Sequence, residues 1–266
     1  MRIASLQPSV TLTLDALGRL DCLCAVTRYC IEALPSLRER GLPVLHDSWS
    51  ASAAEIRAAK PDLAVASVPY RMESLAAILK SGVPVLALAP HTLEDVFKDI
   101  RLLGSVTGSV TDGSGAAEML IASFQASVTG TRTYTGTART RPLVYCEEWG
   151  KPMIRSQGWV AELVEAAHGR FLGTPGAHTT PEEVAAADPD VIVFAWCGAG
   201  DRVPLERVVA QRQWEDLRAV RGRRVFCIPD EYLNTPAPTL LKGLECLAAV
   251  LHPELYAPHP EVIGLP

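Results

Sequence analysis

The side chains of this chain that are best suited to chemistry follow short apolar runs that we interpret as strands. The carboxyl ends of parallel strands meet at one edge of a sheet, where α/β proteins bind their ligands. Aromatic rings with a few polar groups suit a large planar ligand with amide or carboxylate edges. We expect this ligand site to contain Gln7, Pro8, Ser9, Tyr29, Tyr70, His91, Glu148, Trp149, Trp196 and Tyr232.

Each kind of residue has an expected role at this site. The Tyr and Trp rings would stack on the ligand, and Gln7, Ser9 and Glu148 would contact its polar edges. His91 follows the fourth predicted strand, at the end of a parallel sheet where ligands bind. The alternative for Trp149 and Trp196 is that they only cover the end of a sheet as apolar side chains.

The sequence lacks the usual signatures of catalysis. There is no G-x-S-x-G elbow and no Walker A loop, and Gly198-Ala199-Gly200 lacks the third glycine of a dinucleotide fingerprint. The six histidines are scattered, and no C-x2-C pair indicates zinc. We therefore predict a binding protein with no catalytic residue, no resident metal and no required cofactor. The open alternative is an enzyme that acts on its bound ligand, with Glu147, Glu148 and His91 as acid–base groups.

Composition limits the remaining classes. Hydrophobic residues make up 48% of the 266 residues, charged residues make up 21%, and the formal net charge is −5. These values are typical of a globular protein, and the absence of a basic stripe argues against nucleic-acid binding. No apolar run is long enough to span a bilayer, so we expect a protein that is not embedded in a membrane.

The seven cysteines are odd in number and lack ligand spacing, which indicates buried free thiols in a reducing compartment. Residues 2–6 already form a predicted strand, with no secretory signal before it. The sequence as it stands therefore predicts a cytoplasmic protein. The alternative is a periplasmic or cell-surface location, if the native gene encodes a signal peptide ahead of this sequence.

Strands and helices alternate along both halves of the chain. Strands are predicted at 2–6, 23–26, 62–67 and 83–88, with helices at 9–17, 50–59, 71–80 and 92–103, the first capped by Ser9. A long helix is predicted at 111–128, followed by a polar stretch at 129–141. The alternation then resumes with strands at 143–146, 191–195 and 224–228 and helices at 158–168, 181–187, 205–211 and 239–251.

This order predicts an α/β protein with two Rossmann-like lobes, each with a central parallel sheet, joined by one long bridging helix. The N-terminal lobe would span 1–108, the bridging helix and linker 109–138, and the C-terminal lobe 139–266. The halves also echo each other. KPDLAV at 60–65 resembles DPDVIV at 188–193, and each strand leads to a helix with a glutamate near its start, Glu73 and Glu206.

Four segments resemble one protein family. They are RIASLQPSVTLTLDALGRLDCLCAVTRYC, KPDLAVASVPYRMESLAAILKSGVPVLAL, RPLVYCEEWGKPMIRSQGWVAELVEAAHG and VFCIPDEYLNTPAPTLLKGLECLAAVLHPELY. In order and in motif they are similar to the vitamin B12-binding and siderophore-binding proteins of ABC importers, the class with a helical backbone. The resemblance spans nearly the whole chain and is closest to the cobalamin-binding branch.

The resemblance implies two αβ lobes that hold a small molecule in the cleft between them, without chemistry on it. It implies that the chain carries a corrinoid such as cobalamin, or a related metal chelate, and His91 is a candidate axial ligand to the metal of such a molecule. It also implies docking on an ABC permease through one glutamate on each lobe, at the positions of Glu73 and Glu206. We expect the protein to be a monomer.

One departure bears on the ligand. Siderophore carriers of the family often have arginines in the last loop, and residues 233–238 contain none. A highly anionic iron chelate would need such partners, so an uncharged or weakly charged corrinoid is favoured. A siderophore- or heme-binding protein, and an enzyme that modifies a corrinoid or metal chelate, remain as alternatives.

Overall fold

The computed structural model describes residues 1–108 and 115–266. These residues form two compact units, the first from Met1–Pro90 and Glu94–Ser123 and the second from His91–Leu93 and Phe124–Pro266. The lobe boundaries expected from sequence, at 108/109 and 138/139, stay a prediction.

The first unit contains an all-parallel sheet of five strands in the order β3-β2-β1-β4-β5. The strands are β1 (Ile3–Ser5), β2 (Leu23–Thr27), β3 (Val44–Leu45), β4 (Leu63–Ser67) and β5 (Val85–Leu88). The first five helices are α1 (Pro8–Ala16), α2 (Arg28–Ala33), α3 (Ala53–Ala59), α4 (Met72–Leu79) and α5 (Leu93–Val106). Every residue of β1 and β2 is buried, as expected of a parallel sheet covered on both faces.

The second unit contains six strands, with β11-β10-β9-β6-β7 in order and β8 also paired with β6. They are β6 (Leu143–Gly150), β7 (Met153–Arg155), β8 (Arg170–Phe171), β9 (Val191–Phe194), β10 (Val225–Cys227) and β11 (Ile263–Gly264). α6 (Ala116–Thr135) begins in the first unit and ends in the second, and the remaining helices are α7 (Gly158–Ala166), α8 (Pro181–Ala187), α9 (Leu205–Arg212), α10 (Arg218–Arg221), α11 (Asp230–Leu233) and α12 (Leu240–Leu251).

The predicted α/β class is confirmed, with one change in the second sheet. That sheet is mixed, because β7 and β11 are antiparallel to their neighbours. Only two residues, Lys151 and Pro152, separate β6 from β7. A link this short joins antiparallel strands, since a parallel pair needs a crossover of a dozen or more residues.

The start of α1 corrects the predicted cap. Ser9 is not the N-cap, because the helix begins at Pro8 and Gln7 holds the N-cap position in extended backbone. Proline suits the first helical position, where the missing N–H would have no intrahelical partner. Ser9 lies inside the helix and is buried.

The long helix α6 also differs from its prediction. It ends at Thr135, so the polar stretch expected from 129 onward is helical in its first seven residues. The Thr133 and Thr135 hydroxyls donate to the carbonyls of Thr129 and Thr131, at 2.9 and 2.8 Å. Bonds of this kind satisfy threonine side chains within a helix. The first four residues of the predicted helix, 111–114, lie outside the described residues.

Serine and threonine caps set the starts of two helices that the sequence predictions misplace or omit. α3 begins at Ala53 rather than at 50, because Ser52 and Glu55 form a capping box. Residues 28–33, for which the sequence predicts no helix, form α2, and the side chain of its N-cap residue Thr27 accepts from the Cys30 amide at 3.2 Å.

Each unit has its own apolar core. Ile56 and Ile78 belong to a cluster in the first unit, and Tyr145, Phe194 and Trp214 to one in the second. All seven cysteines are free, and six of them are buried. Across 1–108 and 115–266, no helix is long and apolar enough to cross a membrane, and no three His, Cys, Asp or Glu side chains cluster as metal ligands.

Candidate functional site

The second unit contains a pocket of about 830 Å³ that brings together two predicted site residues, Trp149 and Trp196. Its lining comes from the hairpin of β6 and β7, the segment after β9, Pro181 at the start of α8, and the side of α9. Apolar side chains, among them Met153 and Val208, form much of its wall. An apolar pocket with a few polar groups is the usual form of a small-molecule site.

Trp149 lies on the hairpin rather than in a loop, which corrects the predicted end of the strand at 146. β6 continues to Gly150, and Trp149 pairs with Ile154 of β7. The Trp149 indole N–H donates to the Lys151 carbonyl at 2.9 Å, and the side chain is 44% exposed. An exposed indole with its polar edge satisfied leaves an apolar face for a ligand.

Trp196 lies two residues past the end of β9 and is fixed on two sides. Its indole N–H donates to Glu147 Oε1 at 2.8 Å. Its ring meets the Phe194 ring edge-on, with centroids 5.9 Å apart. On the other side the ring lies against Gly150, where a Cβ atom would come within 2.6 Å of Trp196 Cζ2.

Glu147 is fully buried and accepts four hydrogen bonds. Arg212 grips it bidentately, with Nη1 to Oε2 at 2.8 Å and Nη2 to Oε1 at 2.7 Å. The Tyr145 hydroxyl donates to Oε2, and burial, followed by the charge of Glu147, raises the Tyr145 pKa, so this hydroxyl keeps its proton. A carboxylate held by four donors suits a structural role better than proton transfer.

The Arg212 guanidinium lies among aromatic rings at the pocket wall. It is 4.9 Å from the Trp214 ring centroid, 5.5 Å from that of Phe194 and 6.0 Å from that of Trp196. Cation–π attraction and the ion pair together compensate for the loss of water around this charge.

Glu148, the next residue on β6, has a different environment. Gln157 Nε2 donates to its Oε1, and burial raises the pKa of Glu148 to about 7. Cys197 extends the backbone pairing by donating its amide N–H to the Glu148 carbonyl at 3.0 Å. Burial also raises the Cys197 pKa, so its thiol stays protonated and is a poor nucleophile.

The sequence analysis did not identify Asp230, whose side chain holds the loop after β9 through hydrogen bonds. Its two carboxylate oxygens accept from the Gly198 and Gly200 amides, each at 2.8 Å. Both glycines have positive φ, +78° and +60°, which the turn requires. The Gly-Ala-Gly sequence was the available signal, because two glycines so close indicate a turn with amides free to bind an anion.

Tyr232 is the predicted ring with the least exposure in the second unit. It lies on the short helix α11 and is only 6% exposed. Lys242 Nζ lies 5.1 Å from its ring centroid and 3.5 Å from its hydroxyl. Its role in stacking stays a prediction.

The first unit places its predicted site residues at the carboxyl ends of neighbouring strands. Gln7 follows β1, and its Nε2 donates to the Pro69 carbonyl, next to Tyr70 after β4, at 3.2 Å. Pro8 and Ser9 open α1 at the same strand end. Tyr29 lies on α2 after β2, where its hydroxyl accepts from Arg28 at 2.5 Å.

The other predicted residues are exposed. His91 follows β5 and belongs to the second unit. Glu73 and Glu206 lie in the first turns of α4 and α9, where the helix dipole favours acids. Their exposure is compatible with the predicted docking role.

Two cations on the pocket lining were not anticipated. Lys151 and Arg207 line the pocket and are exposed, and neither forms an ion pair within the part of the chain that the structure describes. None of the described lining residues is Asp or Glu. The pocket therefore combines aromatic walls with positive charge.

Comparisons with known proteins give one matching family, relatives along most of the chain, and solved structures with the same fold. A family described as periplasmic binding protein matches residues 3–232. The uncharacterized ABC transporter substrate-binding lipoprotein YvrC of Bacillus subtilis is 23% identical over 96% of this chain and 81% of its own. The vitamin B12-binding protein of Vibrio parahaemolyticus is 26% identical over 91% of this chain and 86% of its own. A periplasmic heme-binding protein from Pseudomonas aeruginosa has the same fold, with a TM-score of 0.85, 20% identity, and coverage of 99% of this chain and 97% of its own.

Proposed function

This chain belongs to the periplasmic binding protein family, as its sequence resemblance predicted, and we propose that it delivers a large planar metal chelate to an ABC importer. A corrinoid such as cobalamin is the first candidate ligand. The proposed role is reversible binding, with no chemistry on the ligand.

The pocket with two indoles in the second unit is the observation that carries this proposal. Trp149 offers an exposed face and Trp196 a fixed one, and both line a space of about 830 Å³. Flat aromatic surfaces bind a flat macrocycle with little loss of conformational entropy, because the indoles are already oriented. The similarity to a vitamin B12-binding protein over 91% of the chain supports a corrinoid in particular.

Heme is the second candidate, and a specific observation favours it. Lys151 and Arg207 place two unpaired cations on the pocket lining, which suits a chelate with carboxylate edges. The likeness in fold to a heme-binding protein is compatible with this reading. The loop at 233–238, without arginine, favours the less charged corrinoid.

Titration of the purified protein with cyanocobalamin and with hemin tests the proposal, followed by calorimetry and visible spectra. We expect one site for cyanocobalamin with affinity in the micromolar range or tighter. One-site binding of hemin alone would establish the second candidate, and binding of neither would refute both. An altered mass of the recovered ligand would instead indicate an enzyme.

Trp149 and Trp49 provide a matched pair of variants for this titration. They are 44% and 43% exposed, but only Trp149 lines the pocket. Trp149→Ala should weaken binding by about tenfold or more, as for an aromatic anchor. Trp49→Ala, with its ring instead covered by Arg71 at 4.4 Å, should leave affinity within about twofold. Equal losses would show that this pocket is not the site.

Glu73 and Glu206 are proposed as the contacts with the permease. Both are exposed, each at the start of a helix, and each has a geometry open to an arginine from a partner. The double variant Glu73→Gln/Glu206→Gln should bind cyanocobalamin normally but fail to deliver it to the permease in proteoliposomes. Unchanged uptake would remove both residues from the docking surface.

A further inference from the structure

We propose that Glu147 and Arg212 are positioning residues that hold the Trp196 indole in one orientation as a fixed wall of the pocket. The sequence analysis predicts neither residue as a ligand contact, and it names Glu147 only as an acid–base group of the enzyme alternative. The inference goes beyond the proposed function and depends on it only for the binding measurement below.

The first step is the direction of the hydrogen bond to Trp196. A carboxylate held by one donor can rotate, but Glu147 is gripped bidentately by Arg212 and accepts a third bond from Tyr145. The plane of the carboxylate is thus fixed, and with it the direction in which Oε1 accepts from the indole N–H, at 2.8 Å.

The second step is the absence of room for other orientations. Glycine at position 150 lets the six-membered ring of Trp196 lie directly on the strand backbone. A Cβ there would lie 2.6, 2.9 and 3.0 Å from three ring atoms, closer than van der Waals contact permits. The ring is therefore confined between the backbone at Gly150 and the edge of Phe194.

The third step concerns why a charge pair is buried here at all. Glu147 is fully buried, and the Arg212 side chain is only 9% exposed. Buried pairs add little net stability compared with apolar residues, but their directional bonds can specify one geometry. Arg212 also lines the pocket, so the pair stands directly behind the ligand wall.

Fluorine NMR of protein labelled with 5-fluorotryptophan tests this orientation without a ligand. The chain has five tryptophans, and Trp→Phe variants assign their resonances. We expect Gly150→Ala and Arg212→Lys each to shift or broaden the Trp196 resonance. Trp49 and Trp159 should be unaffected.

Gly169→Ala is the matched control for Gly150→Ala. Its Cβ would also clash with side chains, Val164 at 2.8 Å and Leu251 at 2.9 Å, but away from the pocket lining. It should lower stability while leaving the Trp196 resonance unchanged. A Trp196 resonance that is unmoved by both Gly150→Ala and Arg212→Lys would overturn the proposal, and so would an equal shift in Gly169→Ala.

The binding readout separates positioning from general destabilisation. In stopped-flow titrations with cyanocobalamin, or with hemin if only hemin binds, Gly150→Ala and Arg212→Lys should raise koff by about tenfold with little change in kon. Gly169→Ala should leave both rates within about twofold. If the wild-type protein binds neither probe, the proposed function fails, while the NMR result still decides the positioning role.

Discussion

The adjacent glutamates Glu147 and Glu148 on β6 have different hydrogen-bond partners, and these partners determine the role of each carboxyl group. The pairing of β6 with β7 is irregular between Glu147 and Trp149, and here Glu147 and Glu148 contact different partners. Glu147 accepts four hydrogen bonds, two from Arg212, one from Tyr145 and one from Trp196. Glu148 meets the Gln157 amide and no cation that the structure describes, so burial raises its pKa to about 7. Sequence alone identified both residues but not their different partners.

The raised pKa of Glu148 predicts a pH-dependent loss of stability. Below pH 4.5 the group is protonated in both the folded and unfolded chains. Between pH 4.5 and about 7 the unfolded chain releases the proton first, so this group's contribution to folding stability falls as the pH rises. Glu148→Gln removes this titration. The variant should gain up to about 3 kcal/mol of unfolding free energy over wild type at pH 8, and almost none at pH 4.

Urea unfolding of both proteins from pH 4 to pH 8 measures this difference. Glu215→Gln, which changes an exposed glutamate of the same unit, is the control and should leave the pH profile of the wild type unaltered. A Glu148→Gln curve parallel to that of the wild type would show that burial does not keep this carboxyl neutral.

Removing one member of the buried Glu147–Arg212 pair should be costly. Arg212→Met leaves Glu147 as an unpaired buried charge, and we expect unfolding free energy to drop by about 3–5 kcal/mol. Glu147→Leu/Arg212→Met removes both charges and should recover much of that loss. Denaturant unfolding of the two variants checks this. A double variant less stable than the single one would contradict this expectation and would mean that Glu147 stabilises the fold even without Arg212.

At the scale of elements, the sequence located most helices and strands but not their ends. Hydrophobic periodicity placed β4, α8 and α12 within about two residues, because apolar spacing and proline mark them directly. α6 extends beyond its predicted end because its threonine hydroxyls form hydrogen bonds within the helix. Hydrophobic periodicity does not indicate such bonds. The β6–β7 hairpin was missed because its second strand has only three residues.

The start of α3 gives a direct test of the capping rule. The Ser52 hydroxyl oxygen accepts from the Glu55 amide, and the Glu55 carboxylate accepts from the Ser52 amide. The Ser50 hydroxyl instead donates to Asp47, outside the helix. Ser52→Ala should therefore cost about 1 kcal/mol of unfolding free energy. Ser50→Ala should cost at most about 0.5 kcal/mol. Equal costs in thermal or urea unfolding would contradict the assignment of Ser52 as the cap.

At the scale of the whole molecule, resemblance supplied what local patterns did not. Alternating strands and helices indicated an α/β protein, but many unrelated functions share such folds. Four segments in family order indicated a binding protein, and the match over residues 3–232 bears this out. The sequence does not predict the two pocket cations, because Lys151 and Arg207 are far apart in sequence. The hairpin and α9 place both residues on the lining of one pocket.

The sequence predicts that ligand contacts come from both halves of the chain, and hydrogen exchange is the measurement that tests this. A ligand that binds only the folded state, present at a hundred times its Kd, adds about 2.7 kcal/mol to the unfolding free energy. Global protection alone would slow the exchange of every core amide to a similar degree. Direct contact should also slow exchange at exposed segments, whose amides exchange quickly in the free protein. These segments lie near Tyr29 and Tyr70 in the first unit and near Trp149 and Trp196 in the second.

We expect saturating cyanocobalamin to protect peptides of both groups, with the peptide around Lys80 as an exposed reference that does not change. Protection confined to the second group would place the ligand in the pocket of the second unit alone and would remove Gln7, Tyr29 and Tyr70 from the site.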